Sequence, residues 1–94
     1  MWYPAKGALR AGITTGTDWD DVNIDTSSTI AGGEGNTASG AHATISGGIN
    51  NAASGQHGAV SGSEGSLAGG ISATVPGGKD NEATGNYSFA AGQP

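Results

Sequence analysis

Branched aliphatic residues recur at intervals of fifteen along most of the chain, each flanked by small and polar residues. These aliphatic positions are Ile30, Ile45, Val60 and Val75, and Ala90 continues the series. Around them, stretches such as residues 43–46 alternate small or apolar residues with polar ones, the period-2 pattern of a half-buried strand. Counted from Ser28, the units align without gaps. The pattern therefore predicts four complete fifteen-residue repeats and a truncated fifth over residues 28–94.

Glycine and alanine occupy further positions in the same register. The fifth position of the unit is glycine in all five units: Gly32, Gly47, Gly62, Gly77 and Gly92. The thirteenth is glycine in every complete unit: Gly40, Gly55, Gly70 and Gly85. The eleventh is alanine in every complete unit: Ala38, Ala53, Ala68 and Ala83. Repeated glycine indicates a constrained backbone, and repeated alanine indicates an inward position too narrow for a larger side chain.

A turn is predicted near the middle of each unit. The eighth position holds residue types that tolerate a positive φ, and an Asn or Ser that can bond its own backbone follows. The eighth-position residues are Gly35, Asn50, Gly65 and Asp80. Helix is disfavoured because each unit carries several Gly, Ser, Thr or Asn residues. The predicted fold is all-β: a parallel β-solenoid with one fifteen-residue coil per unit, stacked at about 4.8 Å.

The amino-acid composition indicates how the interior of such a coil would be buried. Gly, Ala, Ser and Thr supply 53 of the 94 residues, whereas Leu, Ile, Val and Phe supply only 12. So few large apolar side chains leave either a disordered segment or a repeat whose core is completed by other copies. The regular register favours the second alternative. We therefore expect burial between chains in a homo-oligomer.

Charge and cysteine content narrow the possible partners. Three basic and eight acidic residues give a formal net charge of −5, so nucleic acid is not an expected partner. The absence of cysteine excludes disulfides, Cys-based zinc sites and a thiol nucleophile. No apolar run approaches the roughly 20 residues of a membrane span, so no membrane contact is expected from this segment.

Two stretches carry a resemblance to a known family. Residues 38–47 (Ala-Ser-Gly-Ala-His-Ala-Thr-Ile-Ser-Gly) and 83–92 (Ala-Thr-Gly-Asn-Tyr-Ser-Phe-Ala-Ala-Gly) resemble the A-x-G-x-x-S/A-x-A/V-x-G head repeats of trimeric autotransporter adhesins. The resemblance covers residues 28–92, and phage tail-fibre segments are similar too. It implies a left-handed parallel β-roll in a homotrimer with a shared core. It also implies an extracellular place, on the cell surface and anchored in the outer membrane in the full protein, or in a virion fibre.

The first 27 residues differ in composition from the repeats. They contain both tryptophans, Trp2 and Trp19, together with Tyr3, and the lead-in Lys6–Gly12 also resembles that of surface-fibre repeats. Repeat stacks need ends that cover the first coil, so residues 1–27 are predicted to form an N-terminal cap. An aromatic binding surface is the alternative.

Metal sites have two weak candidates. Asp21, Asn23 and Asp25 alternate as oxygen ligands do in calcium loops, but an EF-hand would need glycine where Thr26 stands and glutamate where Gly32 stands. A solvated acidic turn is favoured. His42 and His57 share one repeat position, which predicts a surface ladder of polar residues; a metal site, an anion site or a pH switch is the alternative. No metal or cofactor is predicted.

The residues therefore predict a protein that is not an enzyme. Neither a Gly-x-Ser-x-Gly elbow before a helix nor a phosphate-binding glycine loop occurs. The adhesin resemblance implies a structural and adhesive head segment of a trimeric surface fibre, displaying small polar side chains to an extracellular-matrix protein or glycan. The alternative is a passive or receptor-binding spacer of a phage tail fibre. An ice-binding solenoid is a remote alternative, because the outward Thr and Ser positions are irregular.

Overall fold

The computed structural model describes residues 2–12 and 27–92. Within those ranges all regular structure is β, with no helix, as predicted. The strands are β1 (Trp2–Tyr3), β2 (Ala8–Arg10), β3 (Thr29–Ile30), β4 (Thr37–Ala38), β5 (Thr44–Ile45), β6 (Gly48–Ile49), β7 (Ala52–Ala53), β8 (Ala59–Val60), β9 (Ser63–Glu64), β10 (Leu67–Ala68), β11 (Thr74–Lys79), β12 (Glu82–Ala83) and β13 (Phe89–Gly92).

Like positions of successive units pair in parallel and build three ladders. The second and third positions form the ladder β3-β5-β8-β11, in which Ile30, Ile45, Val60 and Val75 are in register. The tenth and eleventh positions form β4-β7-β10-β12. The sixth and seventh positions form β6-β9-β11, so the long β11 belongs to two ladders. The chain is thus a parallel β-solenoid of about four fifteen-residue coils, which confirms the coarse fold prediction.

Backbone hydrogen bonds join each coil to the next. Thr44 donates its N–H to the carbonyl oxygen of Gly58 at 2.8 Å, and Ala52 donates to Ser66 at 2.8 Å. The same bonds recur fifteen residues later, where Ala59 donates to Ala73 at 3.0 Å. Because backbone N–H and C=O groups must be paired when they are removed from water, this repeated ladder explains how short strands of small residues hold together.

The interior of the solenoid is filled by one chain. All the aliphatic residues at the third position and the alanines at the eleventh are at most 2% exposed. Ala43 and Ala73, at the first position, complete the same cluster. One branched aliphatic side chain and one or two alanines suffice for each coil because the coil is thin. Burial of these positions therefore does not require the neighbouring copies that composition led us to expect.

A positive φ marks two corners in every coil, and a third positive φ falls on a glycine at the fifth or sixth position. The eighth-position residues Gly35, Asn50, Gly65 and Asp80 have φ values of 65°, 55°, 64° and 55°, which confirms the predicted turn. The second corner is at the fifteenth position, where His42, His57, Ser72 and Tyr87 have φ values of 59°, 61°, 56° and 62°. The sequence did not indicate this second corner, because Ser and Tyr are not typical of positive φ.

The glycines differ in what their missing side chain permits. A Cβ added to Gly55 would lie 2.0 Å from the backbone oxygen of Gly70, so the thirteenth position allows adjacent coils to touch. A Cβ on Gly47, at the fifth position, would meet nothing within 4 Å. The tight contact lies one residue later, where Gly48 has φ 106° and its added Cβ would lie 2.0 Å from the oxygen of Ser63. In the third coil, where Ser63 takes that place, the positive φ moves to Gly62.

The last coil leaves the fifteen-residue register. Counting without gaps places Gly92 opposite Gly77, but the structure pairs Gly92 with Gly78 and Ala91 with Gly77. In earlier coils the fourth-position N–H donates to the next coil, as from Ser61 to Val75 at 2.9 Å. Pro76 occupies this position and has no N–H to donate, so the ladder is interrupted there and resumes shifted by one residue.

The described part of the N-terminal segment continues the solenoid. Leu9 pairs with Thr29 and Arg10 with Ile30, in parallel. β1 then pairs antiparallel with β2, joining Trp2 to Leu9 at that end of the sheet. Residues 13–26, including Trp19 and the candidate calcium ligands Asp21, Asn23 and Asp25, lie outside the described residues. A cap formed by the whole of 1–27 therefore stays a prediction.

Candidate interaction surface

The outer face of the first ladder carries a column of small residues. Pairing of β3, β5, β8 and β11 aligns the second-position residues Thr29, Thr44, Ala59 and Thr74. Because side chains alternate along a strand, these point outward while the third-position aliphatics point inward. The fourth position adds small side chains or proline to this face: Ala31, Ser46, Ser61 and Pro76. The result is a regular surface with little side-chain relief.

Larger outward side chains stand at the two ends of this face. Phe89 continues the threonine column in the last described coil and is 70% exposed. At the other end Leu9 occupies the same column, and the neighbouring Trp2 is exposed as well. The aromatic surface considered for the N-terminal segment thus has one exposed member among the described residues.

The other outward columns mix charge with isolated aliphatic residues. The seventh position holds Glu34, Ile49, Glu64 and Lys79. In this column Ile49 is 45% exposed, and Lys79 stands in register with Glu64. Leu67 lies outward at the tenth position, and Ile71 is exposed at the fourteenth. Single exposed aliphatic residues are common on protein surfaces, so none of them alone identifies a binding site.

A buried column of three asparagine amides and one serine joins the coils behind this surface. Its members follow the first corner, at the ninth position: Asn36, Asn51, Ser66 and Asn81. The Nδ2 of Asn36 donates to the carbonyl oxygens of Gly32 at 3.1 Å and Gly48 at 3.0 Å. The sequence predicted a side chain–backbone turn here, but these bonds also cross between coils. Such bonds hold the corner of each coil against the next.

Arg10 is a buried residue that sequence reasoning missed as an interior position. It occupies the equivalent of the third position in the partial coil that precedes the first repeat, in register with Ile30. Its guanidinium Nη2 donates to Ser28 Oγ and to the carbonyl oxygen of Ala38, each at 2.8 Å. Burial lowers the pKa of this guanidinium because desolvation disfavours the charged form. Only the pairing of β2 with β3 reveals that this cation lies where the repeats carry an aliphatic residue.

The two histidines lie together at the second corner. Their ring centroids are 5.1 Å apart, and their planes are inclined at 59°. Both side chains are exposed. Stacking of the coils therefore brings the rings to about one strand spacing, as the shared repeat position predicted.

Enzyme-like features are not found among the residues that the structure describes. Their surface has no pocket. No three His, Asp or Glu side chains of residues 2–12 and 27–92 are grouped to hold a metal ion. No helix in these ranges could cross a membrane. The expectation that the protein is not an enzyme stays a prediction.

Comparisons with known proteins leave the family open. No protein-family model matches the chain, and no curated protein or solved structure matches it either. The coils are compatible with a β-roll repeat protein, while the adhesin resemblance rests on the repeat residues alone.

Proposed function

We propose that this chain is a non-enzymatic structural and adhesive segment of an extracellular fibre, a left-handed β-roll assembled as a homotrimer. The observation that carries this proposal is the outward column of Thr29, Thr44, Ala59 and Thr74, repeated at one-coil spacing on a stack held by backbone bonds. Such a surface offers a threonine hydroxyl to a ligand from three of its four coils. Several weak contacts with one ligand then add together. Once the first contact has formed, the next one forms at a high effective concentration.

Rigidity supports the structural part of this role. The backbone ladder and the buried amide column connect every coil to its neighbours, and the molecule measures 36 × 23 × 17 Å. A stack of this kind lengthens by one strand spacing for each added coil. It can therefore hold a ligand-binding surface at a fixed distance from a cell or virion.

Contacts between the chains of a trimer are assigned to outward residues, since the interior is already buried within one chain. Ile49 and Ile71 are the exposed aliphatic side chains of the central coils, at 45% and 43%. Burying each would contribute about 1–3 kcal/mol. We therefore expect the interface to include the columns of the seventh and fourteenth positions, which carry Ile49 and Ile71.

Light scattering with circular dichroism tests the assembly. The purified chain should give a β-type spectrum and a mass near three times 9.0 kDa. Ile49→Glu should dissociate the trimer while keeping the spectrum. Glu64→Gln, in the same column, should leave the mass unchanged. A folded species of 9.0 kDa would contradict the trimer and leave the solenoid intact.

Adhesion is tested with immobilised matrix proteins and a glycan array. The trimer should bind at least one of these surfaces, and Thr44→Glu should weaken binding by disrupting the outward column. Ser54→Glu adds the same charge at an exposed twelfth position, outside both the threonine column and the columns of Ile49 and Ile71, and is the matched control. A correctly assembled trimer that binds no surface would remove the adhesive part of the proposal.

A further inference from the structure

The exposed imidazoles of His42 and His57 meet on adjacent coils, with ring centroids 5.1 Å apart. They occupy the same repeat position and nearly the same backbone conformation, at φ 59° and 61°. Their side chains therefore leave the two coils in similar directions. We propose that His42 and His57 form a binding site for one late divalent transition-metal cation, such as Zn²⁺ or Ni²⁺.

The backbone holds the two ligands in place before the ion arrives. His57 donates its N–H to the carbonyl oxygen of Ala41 at 2.8 Å, across the coils. The corner of each histidine is also closed by a bond from the next residue: Ala43 to Gly40 at 3.1 Å, and Gly58 to Gly55 at 2.9 Å. Binding then needs to order only the two imidazole side chains, which reduces its entropic cost.

Imidazole chemistry defines the class of ion. Imidazole nitrogen is a common ligand for zinc, nickel and copper, whereas magnesium prefers oxygen. Zinc binds imidazole at about 2.0–2.1 Å, so two nitrogens on one ion lie roughly 3 Å apart. Rings with centroids 5.1 Å apart reach this separation by side-chain rotation, for which their exposure leaves room. Water completes the coordination, and the site therefore differs from a closed structural zinc site.

The neighbours in this column provide an internal test of adjacency. Ser72 follows His57 with φ 56°, and Tyr87 follows Ser72 with φ 62°. A histidine at 72 would stand one coil from His57 and form a second adjacent pair with it, able to replace the pair of His42 and His57 when His42 is removed. A histidine at 87 would share the backbone conformation but lie two coils from His57, beyond reach of the same ion.

Calorimetric titration of the full chain with Zn²⁺, Ni²⁺ and Mg²⁺ tests the site. Wild type should bind one Zn²⁺ or Ni²⁺ per chain and no Mg²⁺. His42→Gln and His57→Gln should each weaken Zn²⁺ binding at least tenfold, because the single remaining imidazole cannot chelate the ion. Unchanged affinity in either variant would overturn the proposal and place the binding elsewhere.

Restored affinity provides the second arm. In the His42→Gln variant, Ser72→His should tighten Zn²⁺ binding at least tenfold, because residues 57 and 72 then form an adjacent pair, and Tyr87→His should leave it unchanged. Equal effects of these two substitutions, or none from Ser72→His in a chain with the wild-type β spectrum, would contradict a chelate built on adjacent coils. These readouts do not depend on trimer formation, so they are separable from the fibre proposal.

Discussion

Asn51 donates both its backbone N–H and its side-chain Nδ2 to the Oδ1 of Asn36, at 2.9 and 3.2 Å. Its own Oδ1 accepts the backbone N–H of Ser66 at 2.9 Å, and its Nδ2 also donates to the carbonyl oxygen of Ser63 at 2.7 Å. One buried amide therefore bonds to the coils on both sides of its own. The coils are joined by these side chains as well as by backbone pairing.

Asn51→Ala should destabilise the fold by about 2–4 kcal/mol, because the buried Ser63 carbonyl and Ser66 N–H lose their amide partner. Urea unfolding followed by circular dichroism measures this difference. Asn86→Ala is the control: its Oδ1 accepts the Ile71 N–H at 3.0 Å, but in an exposed setting where water can replace it. Equal losses for the two variants would argue against a special role for the buried column.

Ser66→Asn should stabilise the protein by about 1 kcal/mol, since the longer asparagine amide would donate to carbonyl oxygens of its own and the next coil, as Asn36 and Asn51 do. Ser66 Oγ now accepts only a long bond from the Asn81 N–H, at 3.2 Å. The midpoint of urea unfolding should rise without a change in slope. A fall in the midpoint would mean that this coil has no room for the larger side chain.

Gly55→Ala should cost about 3 kcal/mol or more, because the new Cβ would overlap the backbone oxygen of Gly70 in the next coil. Gly47→Ala should stay within about 1 kcal/mol of wild type, since nothing lies within 4 Å of its added Cβ. Thermal unfolding of the two variants compares the thirteenth and fifth positions directly. Similar losses of stability in the two variants would contradict the close contact between adjacent coils at Gly55.

Ala53→Leu should destabilise by about 1–3 kcal/mol, because the eleventh position is fully buried in a thin interior. Ala52→Leu makes the same change one residue earlier, on the outer face, where Leu67 already occupies the paired position. The outer variant should differ from wild type by no more than about 0.5 kcal/mol. Unfolding free energies in urea distinguish them, and full stability of the Ala53→Leu variant would show that the interior is wider than this packing implies.

Several structural features could be predicted from the sequence because interactions between neighbouring residues determine them. The period-2 alternation around Ile45 and the glycine, Asn or Asp at the eighth position each reflect the conformation of a few consecutive residues. The parallel all-β solenoid followed from repeating that unit. The shared position of His42 and His57 likewise predicted their proximity, because equal repeat positions stack.

Other elements depend on what the neighbouring coil places opposite. Gly47 and Gly48 are adjacent in sequence, yet only Gly48 is pressed against the next coil. Arg10 has no repeat signature of its own, and the pairing with Ile30 puts it inside. Pro76 shifts the register of the last coil because a donor is missing from a bond that spans two coils.

The amino-acid sequence by itself determined the coil length, the strand around the third position and the first corner, since these repeat with chemically defined residues. Tertiary structure alone decided how the interior is filled. From composition we expected burial between copies, because only 12 of the 94 residues are Leu, Ile, Val or Phe. Stacking at one strand spacing instead buries a single aliphatic residue and its alanine neighbours within each thin coil of one chain.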